Sequence, residues 1–381
     1  MAPTGPVICS AYSNSPERGG LSLGVLLIPT GEHVYSITST INVASDKQGN
    51  RYFLKPIHLP DKEHFQLAYL DSVGIPVPKV LTNSSLSLMA TPFSGNTLSS
   101  VVASLEQREA QRLLFKTGAL LRQVHQVLQT NPPIDEMVCT TYKPTAHIVD
   151  NFYYKHIGII DLQQYSEYKT SVFRTRFNKL APKDESVMAE ICTDKPFIPP
   201  IPEHRQTAPK RLIDFANELA SSFLNKLKPH IIAFTPQGGQ PKPFLDFVDK
   251  QLFEGDYKPD NLLVTQSNSE KKVVIIDPGI SRGVIQFDLA KFTARFLLGR
   301  YSAHDQDLLS NFFEGYGERP AAEEPEYGPL NFVDLIHMDI LNILRSYAKR
   351  FNQGDKRYSL VRSLGSDQFC LETEYLLEKA A

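Results

Sequence analysis

The stretch Glu254-Gly-Asp-Tyr-Lys-Pro-Asp-Asn261, together with the residues up to Gly279, leaves the chain few ways to fold. Two β-prone apolar runs come next, Leu262 to Gln266 and Val273 to Ile276, separated by the polar Ser267-Asn-Ser-Glu-Lys271 and closed by Asp277-Pro-Gly279. This pattern predicts a β-hairpin. With the turn centred on Ser269, mirror pairing sets Asn261 opposite Asp277, with Cβ atoms roughly 5 Å apart. At that separation an amide oxygen and a carboxylate can share one small, hard cation. Asp256, five residues before Asn261, then falls in the loop entering the same place. A cation held by two side-chain oxygens beside a further carboxylate is equipment for moving a phosphoryl group.

A length of 381 residues suits two lobes with a substantial core, and 41% hydrophobic content is ordinary for a soluble globular protein. The net charge of −2, with Lys and Arg scattered, points away from nucleic acid and from an anionic membrane as main partners. The apolar run Leu21 to Pro29 is too short to span a bilayer, follows a polar stretch without a basic leader, and reads as a strand. Cys9, Cys139, Cys192 and Cys370 lie far apart, make no metal spacing, and read as reduced thiols of a cytoplasmic protein. No internal repeat is present, and the oligomeric state is not legible.

Taken in order, residues 1–20 are rich in Pro, Gly, Ser and Asn and are expected to form a loose arm. Strands are predicted at Leu23–Ile28, Tyr35–Val43 and Arg51–Lys55, with Thr30-Gly31 between the first two and a turn at Asp46-Lys-Gln-Gly49 before the third. Asp61–Leu70 has a helical pattern with Glu63 in its first turn, and Leu86–Phe93 reads as a further strand. Helices are expected at Glu106–Gln129, Arg211–Leu227, Asp288–Leu298, Leu308–Tyr316 and Phe332–Phe351. Between them, residues 132–209 mix aromatics with prolines.

Asp-x-x-x-x-Asn, a hairpin and Asp-x-Gly together resemble the catalytic loop and metal-binding segment of the protein-kinase-like superfamily. The similarity is greatest to small-molecule kinases of the aminoglycoside and choline phosphotransferase type, and spans most of residues 30–300. It implies an α+β, bilobal protein-kinase-like fold: an N-terminal lobe at 21–92, an antiparallel sheet with one helix, and a larger, mainly helical lobe at 93–381, with a specificity insertion at 132–209. Lys55 would grip the α- and β-phosphates of ATP or GTP and Glu63 would orient it, Glu63, Leu70 and Gly74-Ile-Pro-Val-Pro78 following the family spacing. Without that context, Lys55 is a solvated strand-end lysine and Glu63 a helix-start glutamate favoured by the dipole. Gly31 would lie in a hairpin over the phosphates, although G-x-G-x-x-G is missing and a plain turn fits equally. Backbone groups of Met89, Thr91 and Phe93 would form the hinge that meets adenine. Asn261 and Asp277 would hold Mg²⁺, Asp256 would orient an acceptor hydroxyl, and Lys258 would offset charge on the transferred phosphate or simply be solvated. The acceptor would be a small molecule: an aminoglycoside, another antibiotic, a choline-like alcohol, a sugar or a nucleoside. His125 reads as a buried structural histidine, and Asp288 would bind amides of the catalytic loop or cap its helix.

Glu254 stands where these relatives have the histidine of His-Gly-Asp. Asp256-Tyr-Lys-Pro-Asp-Asn261 also matches the Asp-x-Lys-Pro-x-Asn form of Ser/Thr protein kinases, so that class competes. Only ten residues separate Asp277 from Asp288, however, and no Ala-Pro-Glu comes after them to end a peptide-presenting activation segment. A non-catalytic nucleotide-binding module is the other alternative; retention of Lys55, Glu63, Asp256, Asn261 and Asp277 argues against it. The 132–209 stretch would shape an acceptor pocket or act as a packing or dimerising appendage. Glu318, Glu323, Glu324 and Glu326 read as a solvated acidic loop or a site for a cationic substrate.

Overall fold

Alternation with period two decides the N-terminal architecture, because every second residue of several strands is small or branched and apolar. The computed structural model describes residues 7–11, 25–35, 40–56, 63–83, 88–92, 95–134, 137–138, 226, 228–234, 242–245, 251–267, 270–297, 303–318, 320, 328–336 and 338–339. In chain order these include β1 (Val7–Ala11), β2 (Val25–Tyr35), β3 (Thr40–Ser45), β4 (Arg51–Pro56), α1 (Glu63–Ser72), β5 (Leu81–Asn83), β6 (Leu88–Pro92) and β7 (Asn96–Thr97). Then come α2 (Leu98–Ser104), α3 (Gln107–Thr130), β8 (Ile231–Phe234), β9 (Lys242–Leu245), β10 (Gln251–Phe253), β11 (Leu262–Ser267), β12 (Glu270–Ile275), β13 (Ser281–Gly283), α4 (Gln286–Leu297) and α5 (Ala303–Tyr316). The fold class is α+β, as expected. Among the described residues no helix is long and apolar enough to cross a membrane.

The chain divides into two compact units: Met1–Thr140 with Leu252–Arg282 and Ala303–Arg319, and Thr141–Gln251 with Gly283–Ser302 and Pro320–Ala381. The first unit holds α2 and α3 together with the sheet. In the first unit, antiparallel pairing in the order β1-β2-β3-β4-β6-β5 closes into a barrel. Leu27, Ala44, Leu54, Leu88 and Ala90, from four strands, form its buried core. On the opposite face of β6, Met89 packs with Leu67 of α1 and with Val80. The helix therefore lies over the face from which Lys55, paired with Met89, also projects.

Three expectations meet the structure here, two of them corrected. The first twenty residues are not all a loose arm, because β1 pairs with β2 and with β5 and so closes the barrel. Strands Leu23–Ile28 and Tyr35–Val43 are not separate elements flanking a turn at Gly31. Instead β2 runs through Gly31 as one strand, with a register shift against β3 between Pro29 and His33. Gly31, at φ 79°, supplies the left-handed residue that such a bulge needs. The turn at Asp46–Gly49 forms as expected: the Asp46 carboxylate accepts from the amides of Gln48 and Asn50, from the Asn50 side chain and from the Tyr52 hydroxyl.

The helix α3 carries an apolar face of Leu113, Leu114, Leu121, Val124 and Leu128, all nearly inaccessible. It crosses α5 at a pair of glycines. A Cβ on Gly118 would meet the Phe312 carbonyl oxygen, and one on Gly315 would meet the Phe115 carbonyl oxygen. His125 is buried on the same helix, its Nδ1 3.0 Å from the Tyr316 hydroxyl, as a structural histidine would be. In the second unit, β8 pairs with β9, Lys226 bonds Asp334 at 2.8 Å, and Arg295 of α4 bonds the buried Asp339 at 2.6 Å. Asp288 is the third residue of α4 rather than its cap, and is fully buried. Phe93, Glu323, Glu324, Glu326 and all of 139–225, including most of the expected helix Arg211–Leu227, lie outside the described residues.

Candidate functional site

Lys55 is the penultimate residue of β4, and Glu63 is the first residue of α1. The Lys55 Nζ lies 2.8 Å from Glu63 Oε1 and 3.8 Å from Asp277 Oδ1. Only 20% of the lysine side chain and 16% of the glutamate are exposed, whereas Asp277 is 53% exposed. Burial opposes the Lys55 charge, but Glu63 and Asp277 more than offset it and hold its pKa above the ordinary lysine value. Burial pushes the Glu63 carboxyl up to about 7; Lys55 opposes that rise and the Asp277 charge adds to it.

This upward shift has a consequence for stability. Between the ordinary value of 4.5 and about 7 the folded state holds more protons on Glu63 than the unfolded chain does, so stability from this group is lost as pH rises through that window. Glu63→Gln should remove that dependence. In urea unfolding at pH 5 and pH 8, the drop in unfolding free energy should be smaller in the variant by on the order of 2 kcal/mol. Equal drops in both proteins would contradict the buried position of Glu63.

The hairpin forms, with one correction. Leu262 pairs with Ile275 and Ser267 with Glu270, so the turn is two residues long and Asn261 comes opposite Ile276 rather than Asp277. The Ile276 amide donates to the Asn261 carbonyl at 2.9 Å. Although the register is one short, the chain leaves the ladder after Ile275, and Asp277 takes φ 55°. Among the described residues it is the only non-glycine with positive φ, a conformation that costs about 1–3 kcal/mol and is kept where neighbours enforce it. The enforcing bonds are visible on both sides: Ile275 N to Pro76 O at 2.9 Å, Gly279 N to Glu254 O at 3.1 Å, and Ile280 N to Gln66 Oε1 at 3.1 Å.

At the same open end of the hairpin, on the chain entering β11, Asp256 Oδ2 accepts from Lys258 Nζ at 2.7 Å and from Asn261 Nδ2 at 2.8 Å. With its nitrogen committed to Asp256, the Asn261 amide directs its oxygen elsewhere. Glu254, fully buried, bonds the loop that follows it: its Oε2 accepts the Asp256 amide at 2.7 Å. Gly255 at φ 84° lets the Glu254 carboxylate reach forward over the intervening residue. The loop is fastened to α3 through the buried Tyr257, whose hydroxyl donates to the Thr117 carbonyl at 2.8 Å, and through Gln129, which donates to the Leu252 carbonyl at 2.9 Å. Ser99 of α2 bonds Asp260 at 2.7 Å.

The other predicted residues are placed less uniformly. Gly31 lies in the β2 bulge and not at a hairpin tip. Met89 is paired with Lys55 on one side and Thr82 on the other, inside the ladder. Thr91 pairs with Phe53 of β4, while β5 begins opposite Ala90. Just beyond, β7 joins β11, so the chain passes directly from the barrel to the hairpin. Sequence reasoning missed the role of Gln66 and the manner in which Glu254 serves the loop. The available signal for Gln66 was a polar residue beside Leu67 and Leu70 on the buried side of α1.

Asn261 and Asp277 offer an amide oxygen and a carboxylate, the donor types that suit Mg²⁺. Among the described residues no group of three or more His, Cys, Asp or Glu side chains forms a closed metal cage. A cation here would complete its shell with phosphate oxygens and water, as Mg²⁺ commonly does. The residues present fit such a group.

No family model matches the chain, and no curated protein matches it either. Solved structures do. Amicoumacin kinase, in complex with AMP-PNP, Ca²⁺ and Ami, is 12% identical, with 97% of this chain and 90% of that chain covered and a TM-score of 0.44. Choline kinase from Cryptosporidium parvum Iowa II is 11% identical over 91% and 90% of the two chains, with a TM-score of 0.43. An aminoglycoside-3′-phosphotransferase of type VIII is 16% identical over 82% and 93%, with a TM-score of 0.40.

Proposed function

We propose that this chain is a phosphotransferase that moves the γ-phosphate of ATP or GTP to a hydroxyl of a small molecule. The observation that carries the reading is the Lys55 ammonium held between Glu63 and Asp277, at the open end of a hairpin where Asn261 is also fixed on Asp256. Lys55 binds the α- and β-phosphates, and Glu63 keeps its ammonium aimed at them. Asn261 and Asp277 would hold Mg²⁺, which would supply neutralisation of the charge on the phosphates. Asp256 orients the acceptor hydroxyl in line with the γ-phosphorus. As the new P–O bond forms, the bond to the β-phosphate bridging oxygen breaks, the hydroxyl proton passes to Asp256, and nucleoside diphosphate leaves. Lys258, whose Nζ lies 2.7 Å from Asp256 Oδ2, offsets charge on the group in transit. Positioning does most of the work, which suits a loop fastened at Glu254, Tyr257, Asp260 and Asn261.

The short interval between Asp277 and Asp288 favours a small acceptor over a peptide, and the 132–209 stretch is the segment this reading assigns to acceptor choice. The separated cysteines suit a reducing, cytoplasmic setting. The test is nucleoside diphosphate release from Mg-ATP or Mg-GTP against a panel of aminoglycosides, macrolides, choline-like alcohols, sugars and nucleosides. Release that depends on one acceptor class supports the reading. Phosphorylation of a peptide substrate, with none of the panel active, would transfer it to the protein-kinase class.

A further inference from the structure

Gln66 is completely buried on α1, where a polar side chain is kept only with hydrogen-bond partners. Its amide is used in full. The Ile280 amide donates to Gln66 Oε1 at 3.1 Å, Gln66 Nε2 returns a longer bond to the Ile280 carbonyl at 3.4 Å, and the same nitrogen donates to the Met137 carbonyl at 2.9 Å. A side-chain amide that both accepts from and donates to one backbone residue behaves as a short strand would, and it fixes that residue in two directions.

The spacing gives this bond its meaning. Gln66 lies three residues after Glu63 on α1, so both side chains share one face. Ile280 lies three residues after Asp277 on the facing segment. The helix and the segment are thus joined twice, once through Glu63, Lys55 and Asp277 and once through Gln66 and Ile280. Turning α1 by one residue, about 100°, would break both joints together. The left-handed Asp277 lies between Ile276, tied to Asn261, and Ile280, tied to Gln66.

We infer that Gln66 is a positioning residue that latches α1 to the 277–280 segment and so sets where Asp277 presents its carboxylate to the nucleotide-bound cation. The inference rests on the proposed nucleotide–metal site. Gln66 touches none of the reacting groups and acts through Asp277.

The experiment compares wild type, Gln66→Met, which keeps the volume and loses the bonds, and Gln66→Asn, which keeps the amide and shortens its reach. Two quantities are read: hydrogen exchange of amides 279–281 against those of α3, and the ratio of ATP or GTP affinity with Mg²⁺ to that without it. In both variants amides 279–281 should exchange faster while α3 is unchanged, and the magnesium enhancement should fall by about tenfold or more with metal-free binding retained. If Gln66→Met does not fold, Gln66→Asn decides by the same readings. Unchanged exchange at 279–281, or a full magnesium enhancement in a folded variant, overturns the inference. A wild type without magnesium enhancement contradicts the proposed site itself, and is recognised because no variant is needed to see it.

Discussion

Asp256→Asn should abolish transfer while the protein still binds its nucleotide. The asparagine keeps an oxygen for Lys258 and loses the ability to take a proton, so the loss of rate falls on the chemical step, by about 10²- to 10⁴-fold. Nucleotide affinity should stay within about threefold, because the phosphates are assigned to Lys55 and the cation to Asn261 and Asp277. The measurements are nucleoside diphosphate release with the most active acceptor of the panel and nucleotide titration of the same preparations. Transfer at the wild-type rate would remove Asp256 from the reaction. Lost nucleotide binding in a folded variant would show that its part is to hold Asn261 and Lys258, the two donors on its Oδ2.

The second large effect is on stability, at the crossing of α3 and α5. Alanine is ordinarily the better helix former by about 1 kcal/mol, so Gly118→Ala in an open helix would stabilise. Here the new methyl group would meet the Phe312 carbonyl and lie 2.8 Å from the Tyr316 amide nitrogen, both backbone atoms that cannot rotate away. The helices must separate. Overpacking of this kind costs about 1–3 kcal/mol for a methyl group, and Gly118→Val should exceed that. Because Thr117 holds Tyr257 of the 254–261 loop, separation also moves the residue next to Asp256. Urea unfolding of both variants checks the claim, and stabilisation by Gly118→Ala would contradict the close crossing.

How much of this was legible in the sequence differs from one element to the next. Alternation and a polar turn were enough to find the hairpin at 262–275, but its register came out one residue off, since a two-residue turn and a three-residue turn leave the same apolar runs. The error did not move Asp277 out of the site, because the residue leaves the ladder in a left-handed conformation that nothing in its side chain announces. Pro29-Thr30-Gly31 carries the composition of a turn and serves as a bulge, a choice made by pairing with β3 rather than by local preference. Val7–Ala11 is a short apolar run among loop-forming residues, and it becomes a strand because β2 and β5 flank it. The Lys55–Glu63 pair was expected through resemblance and is found at 2.8 Å. Glu254 and Gln66 show the limit of sequence reading: their partners are backbone atoms of Asp256 and Ile280, and the backbone bonds of a side chain leave no pattern in sequence.

The account stands or falls on a nucleotide and a divalent cation meeting at Asp277. Thermal unfolding with ATP or GTP, each with and without Mg²⁺, on wild type and Asp277→Ala tests this without any knowledge of the acceptor. A ligand that binds only the folded state stabilises it by about 2.7 kcal/mol at a hundredfold excess over Kd. The account predicts a rise in midpoint that needs magnesium in the wild type and is lost in Asp277→Ala. No rise with either nucleotide at millimolar concentration, or an equal magnesium-dependent rise in both proteins, would contradict it.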